Sequence, residues 1–238
     1  MNGQDYFLNK INSEPSSFKS LPQILKEDHS FIIKAVEMNE KVLDYISTEI
    51  KDDENFILNL IKMKLCYFNY ASDRLKDSKD LIISIARIQG DILQYASERL
   101  KDDKEVVTKT MASKGLSLKF ASNRIKDDDN FLIQECAKKG YVIQCASERI
   151  QNNEKIAEIA VKNSWRCFSK LPEKLQNNYK FLLAIYKENH LTALLFPQKI
   201  RKEINRQNML QFLEKAALKS DLDDGLLINK NKTKKIKI

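Results

Sequence analysis

A ten-residue phrase recurs through the chain at a fixed interval of 25 residues: NYASDRLKDS, QYASERLKDD, KFASNRIKDD and QCASERIQNN begin at Asn69, Gln94, Lys119 and Gln144. Written in rows of 25, the sequence keeps this register over residues 3–202 without an insertion or deletion. The eight rows begin at residues 3, 28, 53, 78, 103, 128, 153 and 178. A fixed period of this length is typical of repeat proteins, in which each unit buries its apolar face against the next. The sequence therefore predicts an array of stacked units.

The first half of each row has the pattern of a helix. Apolar residues occupy row positions 4, 5, 8 and 9, as in Phe56, Ile57, Leu60 and Ile61, which places them on one helix face. Paired acids precede this stripe and suit a helix N-cap; Asp102 and Glu105 have the spacing of a capping box. We expect the glycines at position 13 to end this helix in a left-handed C-cap; they are Gly90, Gly115 and Gly140.

The second half of each row predicts a shorter helix, with apolar residues at positions 16, 19 and 23. Position 20 is Ser in the middle rows and is proline at Pro22, Pro172 and Pro197, so the second helix should break or begin there. Small residues at position 19, among them Ala96 and Ala121, should be buried at close helix contacts. The predicted fold is an all-α solenoid of about eight helical hairpins. Residues 203–220 should form a capping helix, and residues 221–238 a Lys-rich tail.

Composition and the absence of known catalytic motifs disfavour several classes of protein. The chain has only 5 Gly and 4 Pro, which disfavours turn-rich β folds. It contains no P-loop, no GxSxG or HExxH motif, no apolar leader and no apolar stretch of membrane-spanning length. The sequence therefore predicts a protein that is not an enzyme, has no cofactor or metal and does not enter membranes. Because the four cysteines show no CxxC spacing, we expect reduced thiols and an intracellular, cytoplasmic location; the alternative is nuclear targeting by Lys234–Lys237.

Several recurring side chains have both a functional and a structural interpretation. The row-spaced arginines Arg74, Arg99, Arg124 and Arg149 could track phosphates, but neighbouring acids favour ion pairing within and between hairpins. The aromatic column Tyr45, Tyr70, Tyr95 and Phe120 could stack on bases, and packing between repeats is the favoured explanation. Cys167 and His190 lie in adjacent rows without a visible orienting group, so we interpret them as unrelated side chains.

The middle of the chain resembles a known repeat family. The segment DKEVV…KG…LKFASNRIKDD (103–128), preceded by GDILQYASERLKDDKEVV, is similar to the pattern of the family called domain of unknown function 4116. The resemblance covers residues 28–152; in residues 153–202, Trp165 and His190 replace the glycine and proline replaces Ser. It implies a tandem helical array of the kind found in protists and their associated bacteria. The family brings no catalytic residues.

The rows that depart most from the pattern are the predicted contact surface. Middle rows follow the needs of stacking, so departures in residues 153–202 indicate capping or a partner. The candidate partner-binding residues are Trp165, Arg166, Lys170, Lys174, Lys230, Lys232, Lys234, Lys235 and Lys237. The expected function is a non-catalytic scaffold or adaptor that binds a protein; the alternative is RNA or DNA binding through the basic residues and the tail. The sequence indicates no oligomeric state.

Overall fold

The structure is a computed structural model that describes residues 3–113, 115–203 and 209–234. Within these ranges no residue lies in a β-strand, and every row contains three helical segments at the same offsets. A first α-helix of about 10 residues is followed by a 3₁₀-helix of five or six and then by an α-helix of about one turn. The all-α class and the repeat register are confirmed.

The bounds of these segments follow the 25-residue register. The first helices are Gly3–Ser13, His29–Met38, Glu54–Met63, Lys79–Ala86, Lys104–Ser113, Asp129–Lys138, Glu154–Asn163 and Tyr179–Glu188. The 3₁₀-helices are Pro15–Ser20, Glu40–Asp44, Leu65–Tyr70, Gly90–Tyr95, Gly115–Phe120, Gly140–Cys145, Trp165–Lys170 and His190–Leu195. The short α-helices are Gln23–Glu27, Thr48–Lys51, Asp73–Lys76, Glu98–Lys101, Asn123–Lys126, Glu148–Gln151, Glu173–Gln176 and Gln198–Glu203.

The first helix begins where the acids predict it. In the row 128–152, Oδ1 of Asp128 accepts a hydrogen bond from the backbone N–H of Phe131 at 2.9 Å, which satisfies a donor that the helix leaves free. The predicted capping box at Asp102 is wrong by one residue. The cap is Asp103, which accepts from the backbone N–H of Glu105 at 2.8 Å, and the Glu105 side chain instead pairs with Lys79 of the preceding row at 2.8 Å.

The second half of each row is two helices rather than one. Position 20 caps the short α-helix, as when Oγ of Ser97 accepts from the backbone N–H of Leu100 at 3.2 Å, so the predicted break is confirmed. The preceding residues form a 3₁₀-helix, which buries neighbouring positions 15 and 16, as in Ile92 and Leu93. The sequence pattern found only position 16, because an i, i+3, i+7 stripe of one α-helix skips position 15.

Two of the three glycines at position 13, Gly90 and Gly140, do not form the predicted left-handed caps. Neither Gly90 nor Gly140 has a positive φ, and each begins a 3₁₀-helix. Their role is to let the backbone of the next row approach closely. A Cβ at Gly140 would lie 2.0 Å from the backbone oxygen of Ala160, and one at Gly90 would lie 2.6 Å from that of Thr110. Any larger residue at these two positions therefore requires the rows to move apart.

Rows stack through equivalent segments, which makes the chain an α-solenoid. Contacts divide it into two compact units, residues 1–120 and 121–238. In the first unit, for example, Lys79–Ala86 packs on Lys104–Ser113; in the second, Asp129–Lys138 packs on Glu154–Asn163. The apolar stripe of the first helix is buried, and Ala96 and Ala121 are both 5% exposed. Their predicted burial is confirmed, although Ala96 lies in the extended link after its 3₁₀-helix.

The last described helix, Met209–Lys234, covers the C-terminal row. Its residues Leu213 and Ala217 are buried, and it packs on Tyr179–Glu188. Phe212 meets Tyr179 edge to face with ring centroids 6.0 Å apart. This helix runs past residue 220, where the sequence placed the boundary between capping helix and tail.

Candidate functional site: a groove beside Trp165

Three of the four row-spaced arginines, Arg74, Arg99 and Arg149, are bound to aspartates of the preceding row. Nε of Arg74 lies 2.9 Å from both carboxylate oxygens of Asp52, and Nε of Arg99 lies 3.0 and 3.1 Å from those of Asp77. In each pair, the arginine also donates to the backbone oxygen of the same aspartate, at 2.8 and 2.9 Å. The interpretation as ion pairing between hairpins is confirmed for these pairs. The partner is the aspartate 22 residues earlier, not the one three residues later.

A serine completes each of these contacts. The backbone N–H of Ser97 donates to the Lys76 oxygen at 2.9 Å, and its hydroxyl donates to the carboxylate of Asp77. The hydrogen bonds from Arg99 and then Ser97 lower the pKa of Asp77 below its ordinary value. We call this arrangement the Ser–Arg–Asp clamp. Its three described instances are Ser72, Arg74 and Asp52; Ser97, Arg99 and Asp77; and Ser147, Arg149 and Asp127.

The Ser–Arg–Asp clamp is missing between the rows 128–152 and 153–177. Pro172 occupies the serine position, where it has no N–H to donate, and Lys174 occupies the arginine position. Asn152 stands at the aspartate position, and its side-chain amide donates to the Glu148 oxygen of its own helix at 2.8 Å. The row 153–177 therefore meets its predecessor without this set of contacts.

The aromatic column is half-buried throughout. Partial burial raises the pKa of the hydroxyls of Tyr70 and Tyr95. Lysines lie over both ends of the column: Nζ of Lys19 is 5.0 Å from the Tyr45 ring centroid, and Nζ of Lys119 is 4.6 Å from that of Phe120. Tyr45 and Phe120 thus already have cationic partners within the chain, and all four rings are half-buried, which fits the packing interpretation better than base stacking.

Cys167 and His190 have separate environments. Cys167 is 2% exposed, and burial raises the pKa of its thiol to about 12. His190 is exposed, and its ring stacks on that of Tyr186 with centroids 4.7 Å apart. A thiol with so high a pKa is a poor nucleophile at neutral pH, so the geometry offers no support for a reactive Cys–His pair.

Of the predicted partner-binding residues, the structure brings Trp165 and Arg166 together. The Trp165 side chain is 52% exposed, and the guanidinium carbon of Arg166 lies 5.3 Å from its ring centroid. Lys170 and Lys174 are exposed farther along the row. They do not surround an exposed Phe168, because that ring is 1% exposed and packs on Phe181 and Phe196 at 6.4 and 6.3 Å.

The five tail lysines fall outside the described side chains. Lys230, Lys232 and Lys234 belong to the last helix, whose side chains are described only to residue 221, and Lys235 and Lys237 lie beyond the described residues altogether. Their proposed contact role stays a prediction.

Trp165 stands between two adjoining cavities in the second unit. One, of about 330 Å³, lies between the helices Glu154–Asn163 and Tyr179–Glu188; it is lined by Glu158, Ile159, Val161, Lys162, Trp165, Ala184, Ile185, Glu188, Asn189 and Thr192. The other, of about 320 Å³, is lined by Trp165, Asn189, Leu191, Thr192, Leu194 and Leu195. Because they share Trp165, Asn189 and Thr192, the two cavities form one depression, which we call the Trp165 groove.

The two halves of the Trp165 groove differ in polarity. The half beside Leu191 and Leu194 is apolar, and both leucine side chains are 70% exposed. The other half holds two carboxylates, those of Glu158 and Glu188. Nζ of Lys162 lies 2.5 Å from the Glu188 carboxylate and neutralises it. Glu158 has no hydrogen-bond or ion-pair partner among the described side chains.

The charge on Glu158 is therefore poorly compensated. Partial burial, followed by the carboxylates of Glu154 and Glu188, raises the pKa of Glu158 above its ordinary value. A cation placed in this half of the groove would stabilise the ionised form of Glu158. Within the described ranges, no group of three or more acidic, Cys or His side chains could hold a metal ion.

Four residues of the Trp165 groove were not predicted from the sequence: Glu158, Glu188, Leu191 and Leu194. Comparison of equivalent positions in different rows nevertheless distinguishes Glu158, Glu188 and Leu194. The equivalents of Glu158 and Glu188 in the rows 53–77 and 78–102 are Leu58 and Ile88, which line a cavity of about 240 Å³. Leu194 stands at position 17, which is Asp, Asn, Gln, Lys or Ser in the six preceding rows. An apolar residue at a position that is otherwise polar indicates a role other than stacking.

The stacked rows and the open groove define a helical-repeat protein. A family model described as a domain of unknown function (DUF4116) matches the chain in four overlapping stretches: residues 53–101, 78–126, 103–151 and 132–176. Together these stretches span more than half of the sequence, and the chain belongs to this family. The resemblance is confirmed, with the matched region beginning and ending about one row later than expected. No curated protein and no solved structure has significant similarity to the chain.

No helix in the described part of the chain combines the length and the apolar character that crossing a bilayer requires.

Proposed function

We propose that this protein is a non-catalytic scaffold or adaptor and that it binds a protein partner through the Trp165 groove. The exposure of Trp165 is the observation that carries the proposal. In the rows 78–102 and 128–152 the glycine at the equivalent position fits against a backbone oxygen, whereas Trp165 is half-exposed beside Arg166. Trp and Arg are enriched among the residues that dominate binding energy at protein interfaces.

The repeat architecture supports a binding role. Solenoids are built from local contacts and leave long surfaces open to a partner. In this chain the caps, the buried stripes and the clamps have structural roles, whereas Trp165, Leu191 and Leu194 in the groove are each more than half exposed. Exposed apolar residues in a groove are typical of interaction sites.

The bound arginines weigh against the nucleic-acid alternative. Arg74, Arg99 and Arg149 each pair with an aspartate, so phosphate binding at these three arginines would have to displace a carboxylate. Salt dependence distinguishes the two functions. A nucleic-acid partner held by several phosphate contacts loses about a thousandfold or more in affinity between 50 and 200 mM salt, whereas we expect a much smaller change for a protein held by the Trp165 groove.

Capture experiments with matched variants test the proposal. The full-length chain is used to isolate partners from its native source, and the capture of each partner is then measured for Trp165→Ala and Arg166→Glu. We expect Trp165→Ala to reduce capture strongly, while Arg166→Glu reports whether the guanidinium beside the ring contributes. The control is Ile88→Ala, which removes an 83%-exposed apolar side chain from the equivalent groove of an earlier row.

The tail is tested separately by changing Lys230, Lys232, Lys234, Lys235 and Lys237 to Ser. Substitution is preferable to deletion, because the helix Met209–Lys234 crosses residue 220 and its Asp221 pairs with Lys180. The proposal fails if capture survives Trp165→Ala, and fails likewise if the tail substitution or Ile88→Ala abolishes capture while Trp165→Ala does not.

A further inference from the structure

We propose that the Trp165 groove recognises a peptide segment of the partner by one lysine or arginine, which lies between the Trp165 ring and the Glu158 carboxylate, with a neighbouring apolar residue of the segment in the Leu191–Leu194 half. This inference rests on the proposed function and specifies the chemistry of the partner. Three properties of the groove carry it: the distribution of charge, the exposed aromatic ring and the apolar half.

Charge in the groove favours a cation. Two acidic side chains and one lysine line the larger half. Lys162 is engaged with Glu188 at 2.5 Å, which leaves the charge of Glu158 uncompensated in a half-buried position. An incoming ammonium or guanidinium group would supply the missing partner, and a charge-assisted hydrogen bond of this kind is among the stronger contacts in proteins.

The Trp165 ring is suited to the same cation. The face of a tryptophan attracts lysine and arginine side chains within about 6 Å of its centroid. Arg166 already makes such a contact at 5.3 Å, and the Trp165 side chain nevertheless remains 52% exposed. Glu158 and Trp165 line the same cavity, so one side chain of a bound segment can contact both.

The apolar half sets the second requirement on the segment. Leu191 and Leu194 are each 70% exposed and lie next to Trp165. An apolar side chain within a few residues of the cation would cover them. A phosphate backbone would instead bring negative charge to Glu158, and therefore a basic and apolar peptide fits the groove better than a nucleic acid.

The groove at the equivalent place in the first unit supplies the control. There the acidic positions are Leu58 and Ile88, and the cavity is smaller, at about 240 Å³. The same fold thus forms this depression without carboxylates, so the acids at Glu158 and Glu188 are not required for stacking. A cationic peptide should have no preference for the groove of the first unit.

The test uses a phage-displayed library of random 12-residue peptides selected against the full-length chain. Trp165 is the only tryptophan, so its fluorescence reports occupancy of the groove by each selected peptide. We expect enrichment of a lysine or arginine next to a large apolar residue. Replacing that lysine by norleucine, or the arginine by citrulline, should weaken binding about tenfold or more.

Protein variants locate the contact. Glu158→Gln keeps the size of the side chain and should lose about tenfold in affinity for the cationic peptide, while having little effect on the norleucine peptide. Leu194→Gln should weaken binding of both peptides, because it restores the polar residue found in other rows. Leu58→Gln, in the groove of the first unit, should leave the affinity unchanged.

The outcomes separate this inference from the proposed function. If Trp165→Ala abolishes binding of selected peptides but Glu158→Gln and the norleucine change have no effect, the groove binds a partner and the cation is not what it recognises. Selection of acidic or uncharged peptides overturns the inference in the same way, as does single-stranded RNA binding that depends on Trp165. Absence of any peptide whose binding requires Trp165 overturns the inference, whereas the proposed function fails only if capture of the protein partner survives Trp165→Ala.

Discussion

The rows 128–152 and 153–177 contain the same three helices at the same offsets, yet they contact their neighbours differently. The first approaches the next row at Gly140, where a Cβ would lie 2.0 Å from a backbone oxygen, and it is clamped to the preceding row by Ser147 and Arg149. The second has Trp165 at the glycine position and Pro172 at the serine position. Local structure and contact between rows are therefore set by different residues.

This difference indicates which positions of the array can change and acquire a function. Caps and buried stripes are present in both rows, so both rows fold alike. Once glycine and the clamp are gone, the row can present a large side chain to solvent without losing its helices. Each of the following changes tests this separation.

The largest effect is expected from Gly140→Ala. The added Cβ would meet the backbone of Ala160, with its oxygen at 2.0 Å and its carbonyl carbon at 2.9 Å, and a backbone cannot rotate away as a side chain can. We expect a loss of about 3 kcal/mol in the free energy of unfolding, measured by urea denaturation. The control is Gly3→Ala, because a Cβ at Gly3 has no neighbour within 4 Å. Equal stability of the two variants would show that the rows do not meet closely at this position.

A smaller loss is expected from Ala96→Leu. Ala96 is 5% exposed, so three additional carbon atoms must displace packed neighbours at a cost of about 1–3 kcal/mol. Ala137→Leu, at an exposed position of a first helix, is the matched control and should be nearly neutral. Thermal melting of both variants tests the prediction, and an unchanged midpoint for Ala96→Leu would remove position 19 from the packing contact.

The clamp predicts a dependence of stability on pH. Hydrogen bonds from Arg99 and then Ser97 lower the pKa of Asp77 in the folded protein. Asp77 therefore stabilises the fold above its unfolded pKa of about 3.9, and this contribution is lost as the pH falls through the lower folded value. Asp77→Asn should lower stability at pH 7 and make its decrease below about pH 4 less steep.

The control for the clamp is Asp73→Asn, which removes a nearby carboxylate outside it. Denaturation curves between pH 2 and pH 7, approximately the range over which carboxylates titrate, provide the measurement. If the stability of Asp77→Asn falls as steeply with falling pH as that of the unmodified chain, the clamp does not stabilise the fold through the charge of Asp77.

A small gain in stability is expected when the clamp is built into the junction between the rows 128–152 and 153–177. The combined change Asn152→Asp, Pro172→Ser and Lys174→Arg places all three clamp residues at the junction where they are missing. The melting temperature should rise only slightly. An exposed ion pair contributes little to stability, and replacing Pro172 removes a residue that restricts the conformations of the unfolded chain. Lys174→Arg alone should change nothing. A fall in melting temperature for the combined change would show that the rows cannot close at this junction.

The fold could be predicted from the sequence wherever the signal is local. The period, the buried positions 4, 5, 8 and 9 and the break at position 20 follow from residue types within one row. Contacts between rows could not be assigned in the same way. Arg99 has acids on either side in sequence, but its partner is Asp77, 22 residues earlier, and Gly140 is required by an atom of Ala160 rather than by its own φ.

The residues that line the Trp165 groove could be predicted only in part, for the same reason. Trp165 and Arg166 stand out because they depart from the pattern of their own row. Glu158 becomes informative only when it is compared with Leu58, its equivalent 100 residues earlier. Its position in a groove depends on how two helices pack, which residue spacing alone does not give.

The free energy of unfolding of Trp165→Ala distinguishes a binding role of Trp165 from a stacking role. If Trp165 serves binding, this free energy should lie within about 0.5 kcal/mol of that of the unmodified chain, as is usual for an exposed residue with no structural role. A loss of about 3 kcal/mol or more, typical of a tryptophan removed from a core, would contradict it and make Trp165 part of the stack.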